Sequence, residues 1–171
     1  MGWGISQPLS ERRDRILVTV AAIAPDIDGV TLFGGVDLYH EYHHTFGHNI
    51  FLAVIFAIAC VPTSREKKKI FLLALLSFHS HLIADLLGSG ADWGIFYLWP
   101  FSRYEITSFP PFQWELHSWQ NIVTTILLIL GMYVFSLKKG RTIAEVFSLR
   151  LDAEVVKTFR KWAGKDSARP S

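Results

Sequence analysis

The side chains best suited to chemistry in this chain are its histidines, seven in all: His40, His43, His44, His48, His79, His81 and His117. Three clusters set them beside carboxylates, and imidazole nitrogen with carboxylate oxygen is the usual ligand set for Zn²⁺, Mn²⁺ or Fe²⁺. In APDIDG (residues 24–29), Pro25 and Gly29 bracket Asp26 and Asp28. That spacing can present both carboxylates to one cation from a turn, and it reads equally as a helix end followed by an Asp-rich turn. In YHEYHHTFGHN (residues 39–49), four histidines and a glutamate crowd eleven residues. A solvated loop rarely has this composition, so metal binding is expected here. In FHSHLIAD (residues 78–85), His81 and Asp85 stand four apart and share one face of a helix. Both lie in an apolar run, where ionisable groups are costly and functional by default. The same pair would also suit a proton relay.

Asp26, Asp28, His43, His48, His81 and Asp85 are thus the candidate ligands. Six donors exceed the needs of one tetrahedral zinc. They predict either a two-metal centre or one ion with supporting partners, most simply zinc, although manganese or iron would suit the same donors. Glu41, Asp92 and His117 are the candidate acids or bases. A rival pattern overlaps them, because His40, Glu41 and His44 match H-E-x-x-H, which on a helix gives two zinc ligands and a general base of a metalloprotease. Gly34, Gly35 and Gly47 close around that segment, whereas the usual protease helix is long and apolar. A metal or proton transporter, or a purely structural metal site, could draw on the same histidines and carboxylates.

The elements that must position these residues are apolar. Half of the chain is hydrophobic, and long apolar stretches cover residues 49–62, 70–87 and 122–137, preceded by a shorter one at 16–25. A spanning helix needs about 20 apolar residues. The second and third stretches approach this with their flanks. The first is short unless its helix begins near Thr45, and the one at 16–25 needs residues 9–15 as well.

Basic residues decide the reading against a soluble bundle. Arg12, Arg13 and Arg15, then Arg65, Lys67, Lys68 and Lys69, then Lys138, Lys139 and Arg141 each abut an apolar stretch. Residues 26–49 hold no Lys or Arg, and residues 88–121 hold only Arg103. Four crossings place every basic cluster on one side, the positive-inside pattern. The expected fold is all-α: a polytopic bundle of about four transmembrane helices in the cell membrane, both termini cytoplasmic and the metal site toward the other side. Residues 142–171 predict a cytoplasmic amphipathic helix, apolar at Ile143, Val146, Phe147, Val155, Val156, Phe159 and Trp162, with a disordered end at residues 165–171. The expected division is residues 1–141 for the membrane-embedded site and 142–171 for the tail. Residues 1–10 lack a basic stretch followed by an apolar one, so no cleavable leader is expected. The single cysteine, Cys60, lies in an apolar run and reads as a core residue. The expected partners are membrane lipids and a small-molecule or lipid substrate, with no nucleic acid.

APDID, HHTFGH and HLIAD followed by YLWPFS together resemble the membrane-bound metal-dependent hydrolase family, the YdjM-like group, over residues 16–101. That family carries a P-D-x-D turn, an H-R-G-x-T-H segment, an H-L-x-x-D helix and a W-P-F turn. The resemblance assigns Asp26 and Asp28 to the first motif, His43 and His48 to the second, and His81 and Asp85 to the third. Trp99, Pro100 and Phe101 form the last. His44 stands where the family has Arg and Gly47 where it has Thr, while His40, His79 and His117 have no counterpart. The resemblance implies metal-assisted hydrolysis, of a phosphoester by analogy with zinc phospholipases.

Overall fold

The structure, a computed structural model, describes residues 1–90, 93–107 and 112–165. Its regular structure there is helical, apart from one isolated bridge between Ile95 and Ile106. In chain order the α-helices are α1 (Gly2–Ser6), α2 (Arg12–Ala21), α3 (Val36–Tyr42), α4 (Ile50–Cys60), α5 (Lys67–Gly88), α6 (Trp119–Lys139) and α7 (Leu149–Trp162). Short 3₁₀ helices cover Pro25–Gly34, Val61–Thr63 and Ile143–Val146.

Two helices, α5 and α6, are long and apolar enough to cross a membrane. A third span is possible if α2 and the 3₁₀ helix Pro25–Gly34, bent by 57° from one another, act as one. The expected four crossings are therefore not reproduced. The reason lies in α4, whose eleven residues rise only about 16 Å. Asn49 fixes its start by accepting the Leu52 amide proton at 2.9 Å, and Pro62 tightens its end into the 3₁₀ turn. Residues 45–49 are thereby kept out of the helix.

The chain forms two compact units, Met1–Asn121 and the residues from Ile122 onward. In the first, α1, α2, α4 and α5 pack around Leu9, Val18, Ala21, Ala57, Cys60, Ile70 and Ala74. The three alanines allow close backbone approach, the means by which helices associate where lipid removes the hydrophobic drive. At Gly2 a Cβ would come within 2.5 Å of the Ala22 Cβ and 2.8 Å of the Ser77 hydroxyl, so α1 depends on having no side chain there. Ala53, Phe78, Leu82, Leu86 and Ile95 make a second core patch.

The helix starts are tied at one end. Ser64 donates from Oγ to the buried Asp14 at 2.5 Å, and the Ser10 amide and hydroxyl donate to Glu66 at 3.0 and 2.7 Å. The basic residues opening α2 and α5 therefore share that end. These two helices run away from it and α4 runs back toward it, which leaves the histidines at the other end. Ile55, Ile58, Leu72, Leu76 and Ile83 stay exposed on the flanks, as lipid-facing side chains do.

In the second unit, Ser148 caps α7 through Leu151, and the Thr142 amide and hydroxyl donate to Asp152 at 2.6 and 2.7 Å. Phe159 packs edge-on against Tyr133, ring centres 5.0 Å apart. Residues 166–171, most of the stretch expected to be disordered, lie outside the described residues.

Candidate metal centre

The first carboxylate pair sits on a 3₁₀ helix opened by Pro25. With about three residues per turn, positions i and i+2 point apart. Asp28 turns inward and is fully buried, whereas the Asp26 side chain stays 52% exposed. The pair does not face one point, contrary to what a turn with both carboxylates on one cation requires.

Asp28 instead organises the histidine loop. Its Oδ1 lies 2.8 Å from His43 Nδ1, its Oδ2 lies 2.8 Å from His48 Nδ1, and the Gly47 amide donates to Oδ2 at 3.1 Å. Both carboxylate oxygens are thus engaged, and Asp28 supports the histidines rather than joining the donors that converge. A Cβ at Gly47 would strike the Pro25 carbonyl oxygen and lie 2.7 Å from Asp28 Oδ2. Glycine is required for the loop to press this closely onto the turn. A carboxylate on Nδ1 fixes the tautomer and leaves Nε2 as the free nitrogen.

His48 Nε2 points into the unit, 3.3 Å from Asp85 Oδ2 and 4.0 Å from Asp26 Oδ1. From α5, His81 Nε2 lies 3.1 Å from Asp85 Oδ2 and 3.3 Å from Asp26 Oδ1. The one-turn spacing of His81 and Asp85 does what helix geometry demands. His48 Nε2, His81 Nε2 and Asp85 Oδ2 are buried without a hydrogen-bond partner. Converging buried lone pairs left unsatisfied are costly. Two imidazole nitrogens and two carboxylate oxygens are a donor set that zinc, manganese or iron fits. The donors fit such an ion, and the Asp26 side chain is exposed on one side of them.

A second set, His43, His44 and His48, offers ring nitrogens within 4.8 Å of one another. His44 adopts φ 66°, in the left-handed region. That turn folds the chain back so that residues on both sides of it reach Asp28. Its Nδ1 faces the Trp93 carbonyl at 3.3 Å, and its own carbonyl accepts the Phe96 amide proton at 3.2 Å. Burial first, then the neighbouring His48, pushes the His44 pKa down to about 4. For His48, burial opposes charging, but the Asp28 carboxylate that accepts from Nδ1 and the nearby Asp85 carboxylate outweigh it and raise the pKa.

The protease pattern is not presented as such a motif requires. Helix α3 ends at Tyr42, His43 is extended, and His44 is left-handed, so His40 and His44 do not share a helix face. His40 lies beside Trp93, ring centres 5.3 Å apart. Glu41 is exposed and lines a pocket with His43, Trp93 and Glu105. His117 is exposed in the turn before α6, with no contact to the converging donors, and Asp92 lies outside the described residues. His79 is satisfied at both nitrogens, by the Leu75 carbonyl at 2.7 Å and the Tyr97 hydroxyl at 2.9 Å. It ties α5 to the 93–107 loop, whose Tyr97 carbonyl accepts the Ile50 amide proton.

Sequence reasoning missed Trp93, which packs on His40, His43 and His44; it grouped Asp28 with His43 and His48, which the structure places against it, and expected it to face the same point as Asp26. For Trp93 the sequence carried no signal. For Gly47 it did, since the family motif has Thr there.

No curated protein and no solved structure matches the chain. Residues 3–149 match the family model described as YdjM inner membrane protein, and with its apolar helices and its ordered D-x-D, histidine-loop and H-L-x-x-D elements the chain belongs to that membrane-protein family.

Proposed function

We propose that the chain is a membrane-embedded metal-dependent hydrolase acting on a phosphoester, with one divalent ion, most simply zinc, held by Asp26, His48, His81 and Asp85. The observation that carries this is the convergence of His48 Nε2, His81 Nε2 and Asp85 Oδ2, buried, 3.1–3.3 Å apart across each His–Asp pair and without an aligned hydrogen bond, on the side where Asp26 is open. When bound, the ion supplies Lewis acidity toward water and toward the scissile group. Asp28 holds His48 in the tautomer that presents Nε2. It holds His43 the same way, and His43 keeps Nε2 to exchange a proton in the pocket that it lines with Glu41.

The positive-inside pattern supports a cytoplasmic location for both termini and a site facing the other side. Counting from the basic end, His81 is 14 residues into α5, about 21 Å, and the eleven-residue α4 starts at a similar depth. Against a hydrocarbon core of about 30 Å, the site lies past the midplane and roughly 9–14 Å short of the far boundary, so a phosphoester would have to enter from that side. Transport is disfavoured because α4 and residues 122–135 of α6 contain no His or carboxylate to continue a path.

The test is turnover of a chromogenic phosphodiester by chelator-stripped protein before and after adding back zinc, manganese or iron. Activity that returns with metal and is lost in His81→Ala and Asp85→Ala is expected. Metal-loaded protein that cleaves no mono- or diester contradicts the hydrolase reading.

A further inference from the structure

Between Lys69 and Lys138 the chain has a single Lys or Arg, Arg103, and between Arg15 and Arg65 it has none. Arg103 lines a pocket with Glu41, Tyr42, Thr45, Phe96 and Trp99. A neighbouring pocket shares Glu41 and Phe96 and continues to His43, whose Nδ1 is held by Asp28. The Arg103 pocket therefore adjoins the pocket that His43 lines, and His43 shares Asp28 with the candidate ligand His48.

One property of this pocket calls for a ligand, and a second bears on that ligand's charge. Thr45 is only 9% exposed, and its Oγ1 is buried without a hydrogen-bond partner. A buried hydroxyl left so is costly unless something in the pocket satisfies it. Arg103 and Glu41, both solvent-exposed, line this one pocket and form no ion pair with each other or with any other described residue, so both charges are free to meet a ligand. A simple anion placed there would meet the Glu41 carboxylate, and a simple cation would meet the Arg103 guanidinium. A ligand carrying both charges satisfies both. The guanidinium fork matches phosphate oxygens, while a carboxylate beside Tyr42, Phe96 and Trp99 suits an ammonium group. The cavity, about 190 Å³, is smaller than the roughly 300–1,000 Å³ of pockets that enclose whole drug-sized ligands. It is sized for a head group.

We propose that this pocket receives a zwitterionic phosphoester head group, its phosphate gripped by Arg103 and Thr45 and its ammonium by Glu41 and the aromatic walls. The proposal rests on the phosphoesterase reading and names that enzyme's substrate class. Phosphoethanolamine or phosphocholine chemistry fits, whether on a lipid or as a soluble ester.

The experiment is calorimetric titration of the metal-loaded full chain in detergent with 2-aminoethylphosphonate, whose carbon–phosphorus bond resists hydrolysis. Methylphosphonate is the comparison ligand. Both present the same phosphonate to any metal, so their difference reads the pocket. Aminoethylphosphonate binding at least tenfold tighter is expected. Arg103→Gln should weaken it tenfold or more, and the isosteric Thr45→Val about threefold. Glu41→Gln should erase the preference by weakening aminoethylphosphonate alone. Displacement of the ligand by phosphatidylethanolamine in mixed micelles, but not by phosphatidylglycerol, assigns the head group to lipid. Displacement by soluble glycerophosphoethanolamine alone assigns it to a free ester. Equal affinity for the two phosphonates overturns the proposal, as does wild-type binding in both Arg103→Gln and Thr45→Val. Selective binding without turnover of any phosphoester would sink only the hydrolase reading. Turnover with no zwitterion preference would sink only the head-group pocket.

Discussion

Replacing Asp28 with asparagine separates support of the site from donation to the ion. In the native structure Asp28 is fully buried and accepts three hydrogen bonds, from His43 Nδ1, His48 Nδ1 and the Gly47 amide, at 2.8, 2.8 and 3.1 Å. Asparagine keeps the shape but has only one accepting atom and presents an NH₂ where Asp28 had its second oxygen. One imidazole must then turn Nδ1 into an acceptor and carry its proton on Nε2. If that imidazole is His48, the proton sits on Nε2, 3.3 Å from Asp85 Oδ2, where the ion belongs. Loss of such a supporting partner typically weakens metal affinity 10–100-fold, about 1.4–2.7 kcal/mol. Competition with a fluorescent chelator in detergent measures this directly. Asp28→Asn should bind zinc one to two decades more weakly but still stoichiometrically at saturation, whereas Asp85→Asn should lose stoichiometry. Wild-type affinity in Asp28→Asn would refute the claim that Asp28 acts by fixing the histidines. Complete loss of stoichiometry would make it a direct donor.

Three further outcomes follow from the same geometry. Gly47→Ala forces a methyl against the Pro25 carbonyl and the Asp28 carboxylate, and should destabilise the protein by about 1–3 kcal/mol, read as a lower midpoint of thermal unfolding in detergent together with weaker metal binding. Ser64→Ala leaves the buried Asp14 carboxylate without its 2.5 Å partner at the far end of the unit, which should cost about 1–3 kcal/mol of stability with no change in metal affinity. His44 has a folded pKa of about 4 against an ordinary 6.5, so the unfolded chain binds more protons between those values. Its neutral burial therefore costs nothing above pH 6.5 and drains stability as pH falls from 6.5 to 4; in chelator-stripped protein, His44→Gln should flatten that part of the pH–stability curve.

Helices and their ends were readable from sequence where local rules govern. The His81 and Asp85 pair could be placed because a long apolar helix leaves little choice about which residues share a face. Arg12, Arg13 and Arg15 with Lys67, Lys68 and Lys69 marked one end of the first unit because basic residues gather where helices leave the bilayer. What escaped depends on contacts distant in the chain. Asp26 and Asp28 look equivalent in sequence, and only the 3₁₀ geometry beginning at Pro25 sends one inward to the histidine loop and the other outward. His40 and His44 match a protease pattern as letters, but α3 stops at Tyr42 and His44 turns left-handed. His79 looked as available as His81 until Tyr97, 18 residues on, supplied its partner. The expected fourth crossing is not confirmed at α4, which stays short because residues 45–49 serve the candidate site instead of extending the helix.

The central claim, that Asp26, His48, His81 and Asp85 hold a divalent ion, is tested most directly by elemental mass spectrometry of the purified full chain beside His81→Ala, Asp85→Ala and His40→Ala. The account predicts one equivalent of a transition metal in the wild type, its loss in the first two variants and no change in the third. Metal absent from wild-type protein purified without chelator would contradict it, and so would loss in His40→Ala alone.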